Sequence, residues 1–206
     1  MQAQAHPTFR LRRYWRKDAG PGKYKGSAEL LDAASGERAA CCDLAGSPAL
    51  LPVQIRDFSE QSWRMEPHRK VMPSSWTIFD PANAIACRLD QKILAKVLNP
   101  NYRVVLTLSG SDERAYRLVD PRDTILDQFF LGPDEWALLE GETAVAKLAR
   151  VKAAAGPVKG VRGWLKDFFQ PLEEQFASAG SAHLLPAPVV LGMLLLVKEL
   201  TDPSVA

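Results

Sequence analysis

Cysteine is scarce in this 206-residue chain: there are three, and two of them, Cys41 and Cys42, are neighbours. Vicinal thiols rarely bridge and the count is odd, so no disulfide framework is expected. The thiols read as buried or half-buried side chains of a reduced, cytoplasmic protein. No CxxC or HxxxH pair occurs, and neither a metal nor a cofactor is expected. The phosphate loop GxxxxGK[ST], the dinucleotide turn GxGxxG and the nucleophile elbow GxSxG are absent as well. His6, His68 and His183 are scattered, and Asp80 and Glu140 are explained as turn residues, so a non-enzymatic protein is expected. After Met1 come Gln, Ala and His, then basic and aromatic residues, without the apolar run of a secretory signal.

What is present is the composition of a globular domain, 47% hydrophobic and 24% charged, in a length that fits a single domain over 1–206. The net charge of +2 conceals an uneven distribution. Residues 1–26 hold Arg10, Arg12, Arg13, Arg16, Lys17, Lys23 and Lys25 against Asp18 alone, which is 7 − 1 = +6, leaving 2 − 6 = −4 for the remainder. A local basic surface is expected near the N-terminus.

From Phe9 to Val151 short apolar runs are punctuated by turn residues, as an antiparallel sheet requires. Alternation puts Phe9, Leu11 and Trp15 on one strand face and Arg10, Arg12 and Arg16 on the other. An internal repeat is clearer still. Trp76-Thr-Ile-Phe-Asp-Pro-Ala-Asn-Ala-Ile-Ala matches Trp136-Ala-Leu-Leu-Glu-Gly-Glu-Thr-Ala-Val-Ala without a gap at an offset of sixty residues. Each reads as an aromatic strand, an acidic turn with Pro81 or Gly141, and a return strand: one β-hairpin written twice. Looser copies run from Ala28 to Cys41 and from Tyr102 to Val119. So many hairpins would expose edges in an open flat sheet, and closure into a barrel or sandwich is expected.

After Val151 the pattern changes. Trp164, Leu165, Phe168, Phe169, Leu172 and Phe176 recur at helical spacing, with Lys166, Asp167, Glu173 and Glu174 between them. That spacing predicts a short amphipathic helix inside an insertion at 152–180, bent or restarted near Pro171, whose aromatic face would pack inward or lie on a membrane or partner. A stretch with no charge and no polar hydrogen-bonding side chain follows, fourteen residues from Leu184 to Val197. Its helical part, roughly Val189 to Leu200, would be about 18 Å long, whereas a bilayer core of about 30 Å needs roughly twenty residues. Too short to span and apolar on every side, this segment at 184–200 reads as a central helix enclosed by the strands.

Aromatic-led hairpins of the form Trp-x-aliphatic-x-acid, followed by Ala-aliphatic-Ala and a wholly apolar C-terminal helix, resemble the tubby C-terminal-like superfamily. Its branches include tubby proteins, phospholipid scramblases and LURP-one-related proteins, and Leu184 to Lys198 looks most like the scramblase and bacterial branches. The resemblance implies a mainly β fold, a closed antiparallel barrel of about twelve strands around the last helix. It also implies a non-enzymatic protein that binds phosphoinositides or other anionic lipids. Scramblase-like chains carry an acidic, calcium-associated segment before that helix, where this chain has Phe176-Ala-Ser-Ala-Gly-Ser-Ala-His183, so a calcium-operated scramblase is disfavoured.

Two functional readings follow. In the first, the protein is peripheral on an anionic membrane through Arg10, Arg12, Arg16, Lys17, Lys23 and Lys25, with Trp164, Phe168, Phe169 and Leu172 as a membrane or partner contact. In the alternative it is a soluble interaction scaffold without a lipid ligand, and the basic strand is only a solvated face. Nucleic acid is the disfavoured partner, because the rest of the chain is net acidic and no recognition module is present. Ligand identity and oligomeric state stay open.

Overall fold

The computed structural model describes residues 8–17, 24–68, 74–92, 104–110, 114–120, 135–151, 173–178 and 185–201. They form one antiparallel sheet and a helix near the C-terminus. The strands are β1 (Thr8–Lys17), β2 (Tyr24–Asp32), β3 (Arg38–Leu44), β4 (Val53–Asp57), β5 (Ser62–Pro67) and β6 (Ser75–Phe79). The second half adds β7 (Ile85–Asp90), β8 (Val104–Gly110), β9 (Ala115–Val119), β10 (Glu135–Glu140), β11 (Thr143–Val151) and β12 (Glu173–Ser178), then helix α1 (Ala187–Thr201). Each strand pairs with its chain neighbours, and β1 is bonded to β12 as well as to β2, in the order β1-β12-β11-β10-β9-β8-β7-β6-β5-β4-β3-β2.

Period-two alternation builds the core face. Phe9 and Leu11 are buried while Arg12 is exposed, and along β4 Val53, Ile55 and Asp57 are buried while Gln54 and Arg56 are exposed. That regular alternation made β4 and its partner β5 legible in principle, although the hairpins singled out from sequence lie elsewhere. The three thiols are buried, as expected.

The repeated hairpin exists twice, as β6–β7 and β10–β11, with Trp76 and Trp136 both buried. Opposite them stand Leu89 and Leu148. The ladder is interrupted at matching points, after Ile78 in one and after Leu138 in the other. Hairpin β2–β3 has the same break after Leu30. In all three the residue left out of the pairing, Ala39, Ala86 or Val145, is a small or branched apolar side chain packed on the core. A bulge that turns one extra residue inward increases strand twist and curvature without exposing apolar surface.

The gapless alignment needs one correction. Phe79 pairs with Ile85 but Leu139 pairs with Ala144, so the β6–β7 turn is one residue longer. Ala86 therefore corresponds in space to Val145 rather than to Ala146. Uncorrected, the slip would have put every return-strand side chain on the wrong face.

A second correction concerns the insertion. Glu173–Ser178, expected to continue an amphipathic helix, is strand β12. It fills the gap between β1 and β11, where Phe176 meets Phe9 on one side and Leu148 on the other. Two unpaired strand edges and one buried ring outweigh a weak helical period. The rest of the proposed helix, including Trp164, Phe168, Phe169 and Leu172, lies outside the described residues.

Helix α1 matches its expectation closely. It begins two residues earlier, with Pro188 in its first turn, where a missing N–H costs nothing. Every residue from Pro188 to Val197 is buried, and each large aliphatic contributes about 1.5–3 kcal/mol by leaving water. No helix among the described residues is long and apolar enough to cross a membrane. Its neighbours include β2, β3, β4, β7 and β8. At Gly192 side chains of β5 and β6 press on the helix: a Cβ there would sit 2.8 Å from Ile78 Cδ1 and 3.3 Å from Met65 Sδ. The helix pays for a glycine interior, about 1 kcal/mol against alanine, to let β5 and β6 approach.

Candidate functional sites at the two ends of the sheet

Antiparallel pairing sorts the connections between two ends. The β2–β3, β4–β5, β6–β7 and β10–β11 turns share one end, where β12 finishes and α1 begins. At the other end β1 and β5 finish, β2 and β6 begin, and the β3–β4 loop lies.

At this second end stands the predicted basic strand. Nine consecutive register pairs join β1 to β2, from Phe9↔Asp32 to Lys17↔Tyr24. Along β12, however, the pairing of β1 stops at Leu11↔Glu174, and along β3 the pairing of β2 stops at Gly26↔Leu44. Among the described residues the final pairs, Arg16↔Lys25 and Lys17↔Tyr24, are thus a two-stranded ribbon overhanging both neighbours. The predicted cations separate along it. Arg10 is half-buried between Leu31 and Gln175. Arg12, exposed, stands directly across from Glu29, a pairing of opposite charge. Arg16, Lys17 and Lys25 gather at the tip, and Lys23 lies outside the described residues. The register thus places Arg16, Lys17 and Lys25 at one end of the ribbon and Arg10 and Arg12 nearer its middle and start.

The end where α1 begins is organised by carboxylates. Asp32 Oδ1 accepts hydrogen bonds from the N–H groups of Ala34 (3.0 Å) and Ser35 (2.7 Å). Asp57 Oδ1 accepts from Ser59 and Gln61 N–H, both at 2.9 Å, and its Oδ2 accepts from Trp63 Nε1 at 3.1 Å. Asp80 Oδ1 accepts from Ala84 N–H at 2.8 Å. These are turn-closing carboxylates, as the acidic turn of the repeat suggested. The one described histidine, His68, is engaged elsewhere: its Nε2 lies 2.6 Å from Thr77 Oγ1. No group of three or more His, Cys, Asp or Glu able to hold a metal occurs among the described residues.

Between the β2–β3 and β4–β5 turns and the start of α1 lies a cavity of about 590 Å³. Phe9, Phe58 and Trp63 supply aromatic surface, Pro186 and Pro188 the helix side, and Asp32, Glu37, Asp57 and Arg38 the charge. Phe58 is 78% exposed, far more than any other large hydrophobic described. The guanidinium of Arg38 bonds Glu60 Oε1 at 2.5 Å. Sequence reading missed this cavity because its lining comes from four separate stretches of chain. The one available signal was Asp57-Phe58-Ser59, a phenyl ring placed in a polar turn.

No family model, curated protein or solved structure matches the chain.

Proposed function

We propose that the chain is a closed, tubby-like barrel plugged by α1, and that it binds an anionic membrane surface peripherally through the tip of the β1–β2 ribbon. The double pairing of β1, with β2 and with β12, and the burial of Pro188 to Val197 support the barrel.

One observation carries the membrane reading: Arg16 and Lys25 are register partners, with Lys17 adjacent, in a ribbon that projects beyond its neighbouring strands. Like charges directly opposite destabilise a strand pair. An anionic surface removes that penalty, and three basic groups at a lipid headgroup layer contribute about 3 kcal/mol, falling off beyond a Debye length of about 8 Å. Binding of this kind is weak, reversible and salt-sensitive.

Sedimentation with phosphatidylserine-containing vesicles should pull down the protein at low salt and release it as ionic strength rises. Phosphatidylcholine vesicles should not pull it down, and the R16E/K17E/K25E variant should stay in the supernatant with both. Equal binding to neutral vesicles, or binding to neither, removes this reading and leaves the interaction scaffold without a lipid ligand.

A further inference from the structure

The cavity beside the start of α1 lies at the opposite end from the ribbon tip, and it points to a second ligand of different chemistry. We propose that it binds a small organic cation with an apolar body, of the substituted-ammonium class. Its volume, about 590 Å³, falls within the roughly 300–1,000 Å³ of small-molecule sites, which are apolar clefts with few polar groups.

Charge selects the ligand. Three carboxylates line the cavity, Asp32, Glu37 and Asp57, against one guanidinium, Arg38, which is already engaged by Glu60. The hydrogen bonds to Asp57 come from two backbone N–H groups and an indole N–H, which satisfy its oxygens without cancelling its charge. A helix start ordinarily attracts anions through free N–H groups. Here Pro186 and Pro188 have no N–H, and Val189 and Val190 donate to the Pro186 carbonyl at 2.9 and 3.1 Å. The anion-binding donors are therefore largely removed while the acids remain. Phe58 and Trp63 complete the selection, since a cation over an aromatic face gains electrostatic energy that a neutral ligand of the same shape does not.

Calorimetric titration of the full chain with benzyltrimethylammonium is expected to show saturable one-to-one binding, at least tenfold tighter than benzyl alcohol, with benzenesulfonate weaker than both. Phe58→Ala and Glu37→Gln, both at exposed positions, should each weaken the cation by about threefold to tenfold with an unchanged thermal midpoint. R16E/K17E/K25E should bind the cation like the parent, which separates this site from the membrane reading. Equal affinity for all three probes, indifference to both cavity substitutions, or no saturable binding of the cation up to about 10 mM would overturn the proposal.

Discussion

Hairpins β6–β7 and β10–β11 begin alike and end differently. Both carry a buried tryptophan opposite a leucine, and both turn one extra apolar residue, Ala86 or Val145, onto the core three residues before that leucine. They diverge at the turn. In β6–β7 the left-handed residue is Asn83, with φ of 63°, whereas β10–β11 closes through Gly141, with φ of 59°, and is one residue shorter. They also diverge in what the indole does: Trp76 Nε1 donates to the Ala49 carbonyl at 2.9 Å and so ties the β3–β4 loop to the core. The comparison separates two kinds of constraint. Positions facing the core are fixed by packing, while the turn can change length provided that the return strand keeps its faces.

The largest expected effect tests the shared part. Trp76→Ala and Trp136→Ala should each lower unfolding free energy by about 3–5 kcal/mol in urea denaturation. A variant that lost less than about 1 kcal/mol would show that the two positions are not equivalent. Next comes the difference between the indoles. Trp76→Phe should cost about 1 kcal/mol and speed amide exchange at Leu50 and Leu51, whose N–H groups bond Ser47 O within that loop. Trp136→Phe should leave exchange in the loop unchanged. In the turns, Gly141→Ala forces an L side chain into the left-handed region and should cost about 1–2 kcal/mol. Asn83→Gly should be smallest, within about 1 kcal/mol, because asparagine already tolerates that conformation, glycine loosens the unfolded chain, and the hydrogen bond lost from Arg64 Nη2 to Asn83 Oδ1 (2.9 Å) is solvent-exposed.

Much of the fold could be read because its signals are local. Alternation at Phe9 and Leu11, the doubled tryptophan pattern and the uncharged run before Lys198 each report burial by side chains close in sequence. The strand at Glu173–Ser178 could not be read that way. Phe176 is its one described buried side chain, and it shares helical spacing with Leu172 and Phe169, so only the open edges of β1 and β11 determine its conformation. The basic segment was visible as charge, but its division was not. That Arg12 is matched with Glu29 while Arg16 meets Lys25 depends on the register of β2, which no composition count contains. The cavity was the least legible feature, since Phe9, Phe58 and Pro188 become neighbours only after the strands have paired.

Helix α1 raises a problem of uniqueness. A rod that is greasy on all sides has no wet face to orient it, and by itself it could rotate or slide against the sheet at little cost. Gly192 breaks that degeneracy. Ile78 and Met65 project into the notch left by the missing side chain. A rotation of about 100°, one residue around the helix, would bring a bulky neighbour such as Met193 or Leu191 against them instead. The glycine thus acts as a keyway, and the two strand residues are the key that indexes the rod to a single angular and axial setting.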